Sequence, residues 1–548
     1  MVGETASAEK ARGAFYTPPA LAQYLAEWAI RTPDDVVVEP SCGEAVFLEA
    51  AWAELRGQGR SAESPIAIYG YEIDAGASEA ARRVVSQIGA PTAIETCDFF
   101  DVLPTGGADV VVGNPPYIRY QSFSGLSREK AQWAALAAGV RLGGLASSWA
   151  PFVVHAARFL KDAGRLALVL PAELLHVNYA APVRRYLMER FGQVTLVTFE
   201  RLIFPGVTTE VVLLLAEGPG PTDSIELIQV ADVDALLEHR CTHQNWTPRP
   251  DDTKWSPALI AGGSLDLYRE LLDHGDFVPL SKWGDVSLGA VSGRNSYFRI
   301  SPSRMAEFGL GRDDTVDVLP PNGKALRGLS YSRKAHEELA RGDEPTALFY
   351  PDASRLSAAA EEYISAGEEL GVHRAYKCAV RDPWWRVPVA DETADIFVTY
   401  MNHDAPRLIS NGAGVHALNS VHCVALRQGT RGLGKSLLPI AALNSVTALG
   451  AELLGRSYGG GVLKVEPREA ARLPVPSPEF VRNLEAELLT VEASAGRVLR
   501  SGKHDVLRSR VDSILLASRD AGITARFEEL RESRNSLRGR RHHRGRSP

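Results

Sequence analysis

The stretch Asp109-Val-Val-Val-Gly-Asn114-Pro115-Pro116-Tyr117 runs a hydrophobic segment directly into an amide, two prolines and an aromatic ring. Prolines fix the backbone and remove amide donors, so Asn114 Oδ1 and the Pro115 carbonyl can face a cavity together as acceptors. Two fixed acceptors suit a planar exocyclic amine such as adenine N6, whose lone pair is delocalised into the ring. Holding both of its N–H groups draws the nitrogen toward a tetrahedral, nucleophilic shape. Tyr117 then offers a flat face for the base. Taken alone, a Pro-Pro turn closing a strand explains the same residues.

Neighbouring segments narrow the choice. In open α/β sheets, ligands collect at the carboxyl ends of the strands. Glu39-Pro-Ser41-Cys42-Gly43-Glu-Ala45 reads as an acid, a bend and a helix start. Ser41, Gly43 and Ala45 are small enough to let a ligand approach the backbone, and Glu39 suits a cationic group. Glu72, in Tyr71-Glu72-Ile73-Asp74, lies 29 positions beyond Gly43. A carboxylate there can accept both hydroxyls of a ribose. In Thr96-Cys-Asp98-Phe99, Asp98 can accept from an exocyclic amine and Phe99 can stack on a purine. Cys42 and Ile73 complete the candidate set on the ligand side. The segments lack a phosphate-binding G-x-x-x-x-G-K-[ST] loop, which favours a nucleoside with a charged, amino-acid-like tail over ATP.

These loops need a sheet to carry them. Residues 14 to about 230 alternate β-branched runs with helical stretches, the pattern of a doubly wound α/β fold. Strands are expected at 35–39, 66–73, 108–113, 165–171, 193–199 and 210–216. A helix over 151–164 is expected, with Phe152, Ala156, Phe159 and Leu160 on one face and Gly164 as its cap. Residues 231–280 are polar and dotted with tryptophan, 281–476 are strand-rich with many turns, and helical spacing returns from Pro478. The expected division is a catalytic domain over 1–235, a connecting segment over 236–280, a recognition domain over 281–476, and closing helices with a basic tail over 477–548.

Composition agrees with a chain of more than one domain: 548 residues, 45% hydrophobic and 23% charged. No apolar run approaches about 18 residues, and the N-terminus lacks the order of a signal peptide, so a cytoplasmic protein without membrane insertion is expected. Five cysteines without a C-x-x-C pair argue against a disulfide framework or zinc module. Cys241 and His243 form only half a metal site, and no metal is expected. The net charge is −7, yet residues 371–548 carry 27 Lys+Arg against 18 Asp+Glu. Much of that excess lies in the tail Arg-Glu-Ser-Arg-Asn-Ser-Leu-Arg-Gly-Arg-Arg-His-His-Arg-Gly-Arg-Ser-Pro, readable as a disordered solvated end or as an arm that grips phosphates.

Several of these segments, in this order, resemble the S-adenosylmethionine-dependent N6-adenine DNA methyltransferases of bacterial restriction-modification systems, in the arrangement called the gamma class. The resemblance implies a Rossmann-like class I methyltransferase sheet followed by a mixed α+β target-recognition domain and C-terminal helices. It implies that Tyr16, Thr17 and Pro18 line the methionine end of S-adenosyl-L-methionine. It assigns Glu72 to the ribose, Asp98 and Phe99 to the adenine, and Asn114-Pro115-Pro116-Tyr117 to catalysis. Phe204, in Arg201-Leu-Ile-Phe204-Pro-Gly, would clamp the target base opposite Tyr117. One departure is that many relatives have Gly-x-Gly where this chain has Gly43-Glu44-Ala45. The implied reaction moves a methyl group to an adenine flipped out of duplex DNA, where stacking on aromatics contributes roughly 1 to 3 kcal/mol per base. The second half is then a reader of DNA sequence, with Arg294, Asn295, Arg381, Arg386, Arg456 and Lys464 as candidate phosphate or base contacts. No nuclease constellation is evident, so any partner endonuclease is a separate chain. RNA adenine methylation, methylation of a glutamine amide in release factors, and a non-catalytic DNA-binding defence component remain as alternatives.

Overall fold

The computed structural model describes residues 17–204, 210–250, 252–321, 325–458, 461–517 and 521–543. Two compact units divide at Gly262/Gly263, within the span expected to be a connecting segment; the second runs to Arg541.

The first unit is built on a nine-stranded sheet in the order β3-β2-β1-β4-β5-β7-β6-β8-β9. Its strands are β1 Val37–Glu39, β2 Ile68–Glu72, β3 Thr92–Thr96, β4 Ala108–Gly113, β5 Leu160–Pro171, β6 Phe191–Phe199, β7 Val211–Pro219, β8 Ile225–Val230 and β9 Cys241–Trp246. The run from β3 to β5 is parallel, whereas β7 inserts antiparallel between β5 and β6. The helices that flank this sheet and matter to the site are α1 Pro19–Ala29, α2 Val46–Gly57, α3 Ala75–Gln87, α4 Gly125–Leu136 and α5 Trp149–Ala157. Chain direction across the sheet reverses between β1 and β4, the switch point where α/β folds open a ligand crevice. The α/β expectation is met. Its six strands are all present, and β3, β8 and β9 are additional.

The helix expected over 151–164 ends at Ala157. β5 begins at Leu160, and a register shift against β4 pushes residues 161–164 outward, so Gly164 is a strand residue and caps nothing. Val37, Val110 and Val112 of the central strands are fully buried, as are Leu21, Leu25 and Leu48 of α1 and α2, in one continuous core cluster. Beneath it, Arg165 Nη2 of β5 meets Asp35 Oδ2 at the foot of β1 at 2.9 Å, and both side chains are buried. Burial alone raises the Asp35 carboxyl, but the Arg31 amide, the Thr32 hydroxyl and amide and the Arg165 guanidinium outweigh it and hold the group below its usual range.

The second unit contains a four-stranded antiparallel sheet of Gly284–Leu288, Val421–Leu426, Ile396–Thr399 and Leu408–Ser410, in that order, with smaller sheets and helices around it. Its final helix, Ala521–His543, contains most of the basic tail. Arg534 is 2% exposed and pairs with Asp404, which also holds Arg508 and Arg538; Arg541 is buried against Glu452. These arginines are neither a disordered end nor a free phosphate arm, because the helix turns them onto internal carboxylates. Residues 544–548 lie outside the described residues.

Candidate functional site

β1, β2 and β4 end side by side, and their loops meet. A side chain at Gly113 would lie 3.5 Å from Glu39 Cγ and from Pro40 Cδ, so the catalytic candidate loop springs from beside the β1 acid. Ser41 Oγ donates to the Asn114 carbonyl at 3.2 Å, tying the two loops together. The Asn114 amide Nδ2 donates to Thr17 Oγ1 at 3.1 Å, which orients the carboxamide from 97 residues away. Thr17 is buried and Pro18 caps α1, its carbonyl accepting the Leu21 amide at 2.9 Å. Tyr16 lies outside the described residues.

A serine unremarked in the sequence holds the rest of the loop. Ser148, at the start of α5, accepts from the Ile118 amide at 2.8 Å and donates to the Pro116 carbonyl. Tyr117 hydroxyl donates to the Val169 carbonyl of β5 at 2.9 Å, fixing the ring at the sheet end. Burial pushes that hydroxyl well above its usual range, so it stays a neutral donor. Phe204 is 3% exposed and belongs to the core cluster against which Tyr117 packs. The structure thus brings both clamp candidates to one apolar cluster, with Phe204 folded into it.

The ligand-side acids are also adjacent. Glu39 is 1% exposed; burial, and after it the neighbouring Glu72 carboxylate, push its carboxyl well above the usual range. Its Oε2 is buried with no hydrogen-bond partner among the described residues. Glu72 bridges two loops, accepting from the Gly43 amide and the Asp74 amide, each at 2.9 Å. Gly43 has φ +47° and Ala45 φ +78°, both left-handed. The second glycine of relatives would meet this conformation without strain, and Ala45 holds it with a side chain fully buried in the core. Cys42 is buried, its Sγ 3.2 Å from where a side chain on Gly70 would begin, so a larger residue at that β2 position would press on Cys42 and on Leu48. Ile73 is 65% exposed beside Glu72.

Asp98 caps a short turn through the Phe100 amide at 3.1 Å. Phe99 departs from expectation. It is 3% exposed, stacked on Phe152 and Phe159 at 5.7 and 4.9 Å, with His155 edge-on at 4.9 Å. An enclosed ring gives no open face to a purine, so Phe99 anchors the loop from within, while its neighbour Phe100 is half-buried. His155 Nε2 lies 3.2 Å from the Phe99 and Val102 carbonyls, bracing the same loop. Burial lowers the His155 pKa from 6.5 to about 4, so the ring is neutral at pH 7. The stability it contributes is whole above pH 6.5 and is lost as pH falls toward 4. Urea denaturation is therefore expected to show about 2 kcal/mol less stability at pH 5 than at pH 7.5 from this group. His155→Gln should flatten that limb, and an unchanged pH slope would clear His155 of the effect.

The recognition candidates divide. Arg294 and Arg386 are exposed. Asn295 is engaged by Ser292 and by Asn419, the latter at 3.2 Å. Arg456 pairs with Glu469 at 3.0 Å, and Lys464 with Glu466 at 2.9 Å. Arg381 is spent on the Ser292 carbonyl at 2.7 Å and the Val291 carbonyl, which makes it a brace for the backbone rather than an open nucleic-acid contact. Cys241 and His243 lie on β9 beside Glu226, and no group of metal-ligating side chains occurs among the described residues. No single helix among them is long and apolar enough to cross a membrane.

Comparison with known proteins agrees with this layout. Residues 1–240 match the N-6 DNA Methylase family model, and residues 252–516 match the C-terminal domain of Type II methyltransferase M.Eco57I. The chain is 24% identical over 474 residues to the Type II methyltransferase M.AccI of Acinetobacter calcoaceticus, covering 83% of each chain. It is 27% identical over 487 residues to the Type II methyltransferase M.XamI of Xanthomonas campestris pv. amaranthicola, covering 85% of each. The fold aligns with the Type IIL restriction-modification enzyme MmeI at a TM-score of 0.54 and 12% identity, over 95% of this chain and 75% of that one. Residues 1–240 thus match an N-6 DNA methylase domain and residues 252–516 a type II methyltransferase C-terminal domain, the two parts of an S-adenosylmethionine-dependent N6-adenine DNA methyltransferase of the restriction-modification kind.

Proposed function

We propose that the chain methylates N6 of an adenine extruded from duplex DNA, at sites chosen by the second unit, in the gamma-class order of motifs. The observation that carries this reading is the anchoring of Asn114: Thr17 holds its side-chain Nδ2, Ser41 its backbone carbonyl, and Ser148 the Pro116 carbonyl. A carboxamide held so rigidly is preorganised for charge that develops on a bound amine.

S-adenosylmethionine supplies an electrophilic methyl on a positively charged sulfur. The donor set fits it: Glu39 offers a buried oxygen without a partner to a cationic group, and Glu72 offers a carboxylate for a ribose. Ser41, Cys42 and Gly43 allow close approach to the backbone, and Ile73, Asp98 and Pro18 border the same loops. Asn114 Oδ1 and the Pro115 carbonyl accept the two N6 hydrogens, and Pro116 keeps that carbonyl in place. Tyr117 gives the base a face, and Phe204 must turn out of the core cluster to give it a second. The new C–N bond forms as the C–S bond breaks, and the proton on N6 leaves afterwards to solvent, so positioning carries most of the rate.

The role protects DNA in a restriction-modification or phage-defence setting, with any cognate endonuclease encoded as a separate chain. The test compares duplex DNA, RNA of the same sequence and a release factor as methyl acceptors, with sequencing to locate N6-methyladenine. Methylation of duplex DNA at one recurring sequence is expected. Transfer to RNA or protein in its place would overturn the reading.

A further inference from the structure

The second unit contains a cavity of about 670 Å³ whose wall includes Arg294, Arg299 and Arg304, with Tyr297 and Tyr363 packed beside them. That volume falls in the range of small-molecule sites, about 300 to 1,000 Å³. Arg299 is the unusual member. It is 9% exposed, its Nη2 donates to Ser420 Oγ at 3.2 Å, and its Nε is buried with no acceptor among the described residues. No carboxylate pairs with it among the described residues, and burial lowers its pKa. A buried guanidinium without a counter-charge is costly to maintain. Arg381 in the same unit shows what a structural arginine looks like, with its fork filled by backbone carbonyls.

The wall around Arg299 is rigid. Tyr297 and Tyr363 stack at 4.7 Å, and each hydroxyl donates to the other's backbone carbonyl, at 2.8 and 2.7 Å. Arg304 is partly neutralised by Glu307 at 2.8 Å and lies 4.4 Å over Phe308, whereas Arg294 is exposed and has no carboxylate partner among the described residues. The cavity wall therefore carries net positive charge, and one of its guanidinium groups keeps an Nε without an acceptor among the described residues, a donor that an oxyanion could satisfy.

We propose that this cavity is a phosphate pocket, taking a phosphate group of nucleotide chemistry, and that its source is the backbone of bound DNA. The proposal rests on the reading of the chain as a DNA methyltransferase for its source, though not for its chemistry. A phosphate seated on Arg299 would fix the register of the recognition unit on DNA without reading a base.

The test uses the full chain with Arg299→Gln, Arg299→Lys and the exposed Arg294→Ala, which keeps the test open should a change at the buried position fail to fold. Binding of a target duplex and an unrelated duplex is measured across salt concentrations, with S-adenosylmethionine binding as the folding control. Loss of one phosphate contact is expected to lower the slope of log K against log salt by about 1, equally for both duplexes, with Arg299→Lys retaining most of it. In parallel, dAMP, inorganic phosphate and uncharged deoxyadenosine are titrated calorimetrically. One-to-one binding of dAMP that Arg299→Gln abolishes, with the DNA slope unaltered, would keep the phosphate pocket and overturn its DNA source. An unchanged slope together with no binding of dAMP or phosphate would overturn the pocket itself. Because the titrations need no methyl transfer, they read out even if the chain methylates no DNA.

Discussion

Replacing Asn114 with alanine is expected to lower methyl transfer to duplex DNA by at least about 10²- to 10³-fold, the loss seen when a preorganised polar group is removed from a developing charge. S-adenosylmethionine should still bind, because Glu39 and Glu72 stand on other strands and keep their positions. The single-turnover rate of tritiated methyl incorporation measures the first quantity, and calorimetric titration the second. The substitution also releases the buried Thr17 Oγ1 from its 3.1 Å contact, a single hydrogen bond whose loss costs about 1 kcal/mol. A thermal midpoint close to wild type would confirm that rate, rather than folding, had changed. Undiminished turnover would remove Asn114 from the chemistry and, with it, the role given to the rigid loop.

The largest effect on stability is expected at the foot of the sheet. Asp35→Ala strips the counter-charge from Arg165, which is 7% exposed and has its other Nη buried without a partner among the described residues. Breaking a buried pair from one side costs about 3 to 5 kcal/mol. For a unit of this size the midpoint should fall on the order of 10 °C. Since the Asp35 carboxyl is held below its usual range, the stabilisation is present above the unfolded carboxylate pKa and is lost as pH falls through the lower folded value. Differential scanning calorimetry of wild type and variant at pH 7 measures the difference. A shift of only a degree or two would mean that water reaches the guanidinium.

Where one face of a strand is buried and its run apolar, the sequence announces it, and β1, β2 and β4 to β7 are legible for that reason. β3 and β9 are not, because Thr92–Thr96 and Cys241–Trp246 are edge strands that stay mostly half-buried or exposed and show no hydrophobic run, and β8 is not because Glu226 and Gln229 interrupt its apolar residues. Gly164 looked like a helix cap, but the strand hydrogen bonds of β5 took up the residues before it. The placement of Asn114, Glu39 and Glu72 at neighbouring strand ends was legible, because an acid or amide that closes an apolar run marks the end of a strand. Phe99 was misread since a ring next to an acid looks the same whether it faces a ligand or, as here, four aromatic neighbours. Ser148 carried no signal at all: its role exists only because α5 delivers a hydroxyl between two backbone groups of another loop.

On the proposal that the second unit chooses the DNA site, the clasp formed by Asp404 with Arg508, Arg534 and Arg538 bears on how that choice could be transplanted. A graft that exchanged only residues 281–476 between relatives would sever those contacts and strand acidic and basic halves in different parents. The exchangeable cassette is the whole span from Gly263 to Arg541, terminal helix included, so that the exchanged unit arrives with its own internal fastening.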